Sequence, residues 1–400
     1  MTHSGLSKVR LDRMRDIMNG HVARGELPGL VTLVCRRDEV HVDAIGSHAI
    51  GGGDPPPMQR DTLFRIASMT KPITAAATML LVEECRLRLD DPVDHWLPEL
   101  ANRRVLTRLD SQVDDTMPAK RSITTRDLLT FRFGMGLVLA PPGRYPIQKA
   151  IVDSGLMPGP GSPPIGVDDW MKKLGALPLL HQPGEKWLYH TGSDVLGVLI
   201  ARVSGQPFPT FLQERIFAPL GMKDTAFYVP REKLHRLPHS YVANPATGKL
   251  VLFDEPANSR WGAPPTFPSG GGGLVSTADD YLAFCRMMLH KGRHGRERIL
   301  SRPSVELMTT DHLTQQQKDE ARLFFGDGLG WGFGLSVVTR RTGFGAPGRF
   351  GWDGGAGTSG YTDPAEELIG ILMTQRMMDS PTPPKVFRDF WTAAYSAIDD

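Results

Sequence analysis

Apolar residues recur at helical spacing near the start of the chain, at Leu11, Met14, Ile17, Met18 and Val22, which predicts an amphipathic helix with these side chains inward. Two short apolar runs follow, at 30–35 and 40–45, separated by a charged turn at 36–39. They predict an antiparallel hairpin. Toward the other end, 334–339 and 368–374 read as buried strands, and 386–398 as a closing helix with Phe387, Phe390, Trp391 and Tyr395 inward. The two ends are expected to share one sheet. Between them the period is mostly helical, at 72–85, 125–129, 194–203 and 208–217, with Pro- and Gly-rich connections such as 157–166. Ser276 or Thr277 is placed to cap a helix, with a carboxylate three residues on. The expected fold is α/β of the α+β type: an antiparallel sheet flanked by N- and C-terminal helices, with a mostly helical lobe inserted. Residues 1–75 and 276–400 form the α/β lobe, 76–275 the helical lobe, and the active site lies between them.

Charge narrows the function classes. The 46 Lys and Arg against 44 Asp and Glu leave a formal charge of only +2, and the charges are scattered, so a nucleic-acid partner is not expected. Residues 1–16 carry Lys8, Arg10, Asp12, Arg13 and Arg15 with no apolar stretch, unlike a secretory signal. The longest apolar run, 73–82, is interrupted by Thr74 and Thr78 and is too short to span a bilayer. Cys35, Cys85 and Cys285 are odd in number, far apart and in apolar contexts, which predicts reduced core thiols. A soluble, cytoplasmic protein without a membrane partner is expected.

One segment carries candidate chemistry. Phe64-Arg65-Ile66-Ala67-Ser68-Met69-Thr70-Lys71-Pro72 passes from an extended stretch into a helix rich in alanine. Serine and lysine three apart lie on one helix face, so the amine reaches the hydroxyl. Pro72 is tolerated in a first turn, which has no intrahelical donors to lose. The helix start also favours a developing anion at Ser68. A serine nucleophile needs both a proton acceptor and an anion stabiliser. By itself, the same pattern also describes a capping serine followed by a surface lysine.

The stretch Leu63 to Pro72 resembles the nucleophile segment of class C β-lactamases, DD-peptidases and family VIII carboxylesterases, members of the serine β-lactamase and penicillin-binding-protein superfamily. Two further motifs follow in the order the resemblance implies. Pro183-Gly184-Glu185-Lys186-Trp187-Leu188-Tyr189-His190-Thr191 is similar to the family's Y-x-N segment, with Thr191 in place of the asparagine, where its hydroxyl is a candidate partner for Lys71. Trp352-Asp353-Gly354, within a glycine-rich stretch, stands at the K-T-G or H-x-G motif. Leu128-Leu129-Thr130-Phe131-Arg132-Phe133-Gly134 resembles L-L-T-H-T-S-G, with Phe133 assigned to the pocket wall. The resemblance implies a β-lactamase/transpeptidase-like fold and catalytic roles for Ser68, Lys71 and Tyr189. It also implies an oxyanion hole from the N–H groups of Ser68 and Gly355, with Trp352, Asp353, Gly354 and Phe133 toward the substrate.

Trp352 and Asp353 replace the cation that receives a substrate carboxylate in penicillin-binding members, so a neutral, small-molecule acyl ester fits better. The implied activity is ester hydrolysis through an acyl-enzyme on Ser68, with weak β-lactam hydrolysis beside it. A β-lactamase, a D-amino-acid peptidase or amidase, and a non-catalytic binding protein are the alternatives. No G-x-S-x-G, H-E-x-x-H or phosphate-cradling loop is present. Neither a cofactor nor a metal is expected. Lys71 and Tyr189 are expected to share a proton, and either serves as the resting base.

Overall fold

The computed structural model describes residues 5–51, 53–159 and 163–400, so 160–162 of the Pro- and Gly-rich connection lie outside the described residues. Helix α1 (Lys8–Ala23) buries Leu11, Met14, Met18 and His21. That 3-4-3 spacing completes one stripe. Ile17 and Val22, expected inward, fall on its flanks, and Ile17 is exposed.

The hairpin forms as β1 (Gly29–Arg36) and β2 (Glu39–Gly46). Five strands near the other end follow: β3 (Leu329–Trp331), β4 (Ser336–Val338), β5 (Phe350–Gly354), β6 (Thr358–Asp363) and β7 (Leu368–Thr374). They make one antiparallel sheet in the order β3-β4-β5-β6-β7-β1-β2. Strands β7 and β1 join the two ends, with Leu33 opposite Ile371. The strand expected from residue 334 starts at Ser336 instead, because Gly334 turns the chain with φ +70.

Four further helices position the sheet and the site: α2 (Thr70–Glu83), α3 (Thr191–Ser204), α4 (Ala278–Leu289) and α5 (Lys385–Ser396). Strands β1 and β7 are buried along their whole length, so they read as continuous apolar runs. Their alternate residues still part to two sides. Leu30, Val34, Leu368 and Leu372 pack with Met14 and Met18 of α1 and Phe387 and Phe390 of α5. Val31, Leu33, Ile369 and Ile371 belong to the main core, with Ile73 and Leu81 of α2 and Phe284 of α4. Trp391, expected fully inward, stays half-buried while its Nε1–H donates to Ser359 Oγ (3.0 Å). Thr277 caps α4 by accepting from Asp280 N (3.2 Å), but the Asp280 carboxylate turns away to Asp224 N and Thr225 Oγ1.

Helix α2 is buried from Thr70 to Leu81. Thr74 and Thr78 survive there because both hydroxyls are bonded: Thr78 Oγ1 to Thr74 O (3.0 Å) and Thr74 Oγ1 to Gly270 O (2.8 Å). Cys35 and Cys285 are buried free thiols, whereas Cys85 is exposed. It sits just past the end of α2 at φ +56, where the chain turns outward. No single helix among the described residues is long and apolar enough to cross a membrane.

The approach to Ser68 is tied to its surroundings by strand pairing and a buried arginine. The two-residue strand Phe64–Arg65 pairs with Val275–Ser276. The buried Arg65 guanidinium is tied to Asp254 and to Pro238 O (2.9 Å). Ala67 then adopts φ +42, and a 3₁₀ turn, Ala67–Met69, leads into α2. The end of β5 presses on this junction: a Cβ at Gly354 would lie 2.3 Å from Ile66 O and 2.2 Å from Thr358 Oγ1.

Gly354→Ala therefore has to push β5 away from the Ser68 turn. Overpacking of this kind costs about 1–3 kcal/mol. A lowered midpoint in urea unfolding with an unchanged slope is the expected reading.

Candidate active site

Lys71 is fully buried. Its Nζ lies 2.9 Å from Ser68 Oγ, 3.2 Å from His190 Nδ1 and 2.5 Å from the Gly271 carbonyl, to which it donates. Among the described residues, its hydrogen-bonding partners include no carboxylate. Burial drives the amine down from its ordinary 10.5 to about 7, against a smaller upward pull from Asp194.

Asp194 stands one imidazole away. Its Oδ2 is 3.1 Å from His190 Nε2, and its Oδ1 accepts from Ser269 Oγ (2.6 Å) and Gly271 N (3.0 Å). Burial raises this carboxyl, but His190, Ser269 and the Gly271 amide outweigh it, and the net direction is down. His190 is lowered by burial and by Lys71, against the pull of Asp194. Lys71, His190, Asp194 and Gly271 thus close a ring of buried polar groups. Thr191, the sequence candidate for contact with Lys71, begins α3, and His190 before it reaches the amine. His190 does so at φ +85, ψ −64, a backbone conformation that side chains rarely adopt.

Tyr189 closes the other side of Ser68. Its hydroxyl accepts from Trp352 Nε1 (2.6 Å), and Tyr189 and Ser68 both line the cleft. Burial raises the phenol above its ordinary value, with Ser68 and Trp352 pulling weakly the other way. Lys71 meets the ring, with Nζ 4.6 Å from its centroid. The ring packs among Trp187, Phe324 and Trp352. Phe131, at φ +57, joins this cluster against Trp187 and Trp331. Phe133 points the other way, fully buried in the main core, and is not part of the cleft wall beside Ser68.

A cleft of about 420 Å³ opens over Ser68, walled by Tyr189, His190, Phe324, Trp352, Asp353 and Gly355 among others. None of its described wall residues is Lys or Arg. Alternation along β5 sends Trp352 toward Tyr189 and Asp353 toward the opposite side, where its Oδ1 accepts from Ser359 Oγ (2.6 Å). Burial lifts the Asp353 carboxyl to about 6, against Ser359 and Arg349. Among the described residues, no group of three or more His, Cys, Asp or Glu could hold a metal ion. In the sequence neither His190 nor Asp194 is assigned a role; the i, i+4 spacing of the pair at a helix start is the available signal.

The family model described as Beta-lactamase matches residues 14–388. Protein Rv1367c of Mycobacterium tuberculosis is 41% identical over 368 residues, covering 89% of this chain and 87% of its own. Esterase EstB of Burkholderia gladioli is 28% identical over 393 residues, covering 93% and 92%. Among solved structures, EstCE1, a hydrolase with promiscuous acyltransferase activity, superposes with a TM-score of 0.80 at 24% identity, covering 96% of this chain and 98% of its own. That last likeness is one of fold.

The depressed lysine has a consequence for stability. Between about pH 7 and 10.5 the unfolded chain holds a proton on Lys71 that the folded chain lacks, so folded stability rises with pH across that window. Below it, the folded state bears the whole cost of a buried ammonium. Lys71→Met is thus expected to be more stable than the parent at pH 6, with the advantage shrinking toward pH 10. Urea unfolding of both proteins at several pH values measures it, and an advantage that grows with pH contradicts it.

Proposed function

This chain belongs to the β-lactamase family, and we propose that within it the chain is a serine hydrolase that cleaves neutral carboxylic esters through an acyl-enzyme on Ser68. One observation carries this reading: Ser68 Oγ lies 2.9 Å from a buried amine held near neutrality. An amine titrating near the working pH is a competent general base. The name of the Burkholderia relative, an esterase, supports the same reading.

In the proposed mechanism, neutral Lys71 takes the hydroxyl proton as Ser68 attacks the ester carbonyl. The N–H groups of Ser68 and Gly355 hold the oxyanion. Tyr189 keeps its proton at rest and passes it to the departing alkoxide, while the Trp352 indole N–H steadies the phenolic oxygen it leaves behind. The proton on Lys71 then returns to Tyr189. Water, activated by Lys71, releases the acid from Ser68. Trp352, Asp353 and Gly354 shape the acyl side, and a wall without Lys or Arg gives a substrate carboxylate no partner.

Ser68→Ala is expected to abolish ester hydrolysis and labelling by a fluorophosphonate. In a panel of p-nitrophenyl esters of increasing chain length, nitrocefin and a D-Ala-D-Ala peptide, short esters should turn over fastest, nitrocefin slowly and the peptide least. Preference for the carboxylate-bearing peptide would sink the ester reading. The rate of acylation should rise with pH about a midpoint near 7, as Lys71 loses its proton.

Tyr189→Phe keeps the ring in its aromatic cluster but removes the acceptor of the Trp352 N–H. An orphaned buried donor costs about 1–3 kcal/mol. Loss of the acid should lower kcat by roughly 10²–10⁴, more for alkyl esters than for p-nitrophenyl esters, whose leaving group departs without protonation. A folded variant with near-parental kcat on alkyl esters would rule out this role.

A further inference from the structure

We propose that His190 is a positioning residue: its Nδ1, together with the Gly271 carbonyl, takes both N–H bonds of the neutral Lys71 amine and so aims the amine's lone pair at Ser68. This rests on the reading of Lys71 as the base.

Asp194 Oδ2, 3.1 Å from His190 Nε2, can only accept from it, so Nε2 carries the hydrogen. In a neutral ring Nδ1 is then an acceptor, and its 3.2 Å contact with Lys71 Nζ uses an N–H of the amine. The Gly271 carbonyl, 2.5 Å away, can also only accept, which uses the other. A neutral amine has two N–H bonds. Only its lone pair is left, and the remaining hydrogen-bonding neighbour among the described residues is Ser68 Oγ at 2.9 Å.

Each acceptor is itself held. Asp194 fixes the imidazole through Oδ2 and the Gly271 amide through Oδ1, so one carboxylate sets both acceptors. Ser269 supplies its remaining hydrogen bond. Around His190, the charged or titratable groups facing it are Lys71 from α2, Asp194 from α3 and the adjoining Tyr189. Without the imidazole acceptor, the amine is free to rotate about its last carbon bond and point an N–H at Ser68. A base so turned cannot accept a proton.

Two substitutions separate this role from simple anchoring. In His190→Asn the amide oxygen can occupy the place of Nδ1 but loses Asp194; in His190→Gln the amide nitrogen can occupy the place of Nε2 but offers Lys71 nothing. The acylation rate with a p-nitrophenyl ester should fall roughly 100-fold or more in the Gln variant and within about tenfold in the Asn variant, the scale of misoriented against oriented groups, with KM little changed in both. Equal rates, or a more active Gln variant, overturn the proposal. Ser68→Ala run alongside separates the two readings: if it stays active, the catalytic reading itself fails, and if it is inactive while Gln outperforms Asn, only the role of His190 falls. Histidine ¹⁵N NMR of the unmodified protein at pH 8 provides a check that needs no variant to fold. A protonated Nε2 with a bare Nδ1 is expected for His190, and an Nδ1–H ring or an imidazolium overturns the proposal.

Discussion

The structure depends on the burial of one amine. Lys71 sits in the first turn of a helix whose side chains are otherwise packed into the core, and it has no carboxylate in contact. A cation in that position is strongly disfavoured, and the amine answers by giving up its proton near neutrality. The surroundings then have to satisfy it with neutral acceptors. This accounts for the unusual backbone nearby: φ +42 at Ala67 brings Ser68 to the helix start, and φ +85 at His190 carries the imidazole to the amine. Both are conformations that cost energy and persist only where the surroundings enforce them. The enforcement is visible in Arg65 tied to Asp254 on one side and Asp194 tied to Ser269 and Gly271 on the other.

The aromatic cluster solves a second problem created by the first. A phenol beside a half-neutral amine could ionise in its place, but Tyr189 is enclosed by Trp187, Phe324 and Trp352, and burial raises it. The two groups are thereby pushed apart, lysine down and tyrosine up. Environments that separate two titratable groups in this way assign them different parts in a proton relay. The sequence leaves either residue open as the resting base; within the proposed function, this separation makes Lys71 the base and Tyr189 the acid.

Much of this frame is legible in the amino-acid sequence. The hairpin and the β7 strand follow from short continuous apolar runs, because β1 and β7 are buried on both faces, and the first and closing helices follow from a period of 3.6, because α1 and α5 are buried on one. Ser68 and Lys71 can be paired since both lie within one helical turn, where spacing alone fixes proximity. What cannot be read there depends on contacts across the chain. That His190 rather than Thr191 meets Lys71 follows from a positive φ at 190 and from residues 269–273 lying against it, neither of which leaves a local pattern. Phe133 is misplaced for a simpler reason: with Phe131 two residues away, a turn at φ +57 sends one ring to the aromatic cluster and the other into the main core. Cys85 and Ile17 show the limit of apolar context as a guide to burial, since each lies just beyond the edge of a buried stripe.

Within the proposed function, Asp353 and the buried amine together bear on the charge that a substrate meets. Asp353 belongs to the cleft wall, yet its carboxylate accepts from Ser359 on the other side of β5, and burial lifts it to about 6. Lys71 changes charge near 7. Above that pH the amine is neutral while the nearby Asp353 and the buried Asp194 are anionic, so Lys71 adds no positive charge beside Ser68 when the proposed base is competent. A substrate carboxylate would then find no Lys or Arg on the described cleft wall, and its desolvation would go unrewarded. A neutral ester bears neither cost. Within the proposed function, the neutral amine that makes Lys71 a base and a described cleft wall without Lys or Arg act in the same pH range, and both favour a neutral substrate.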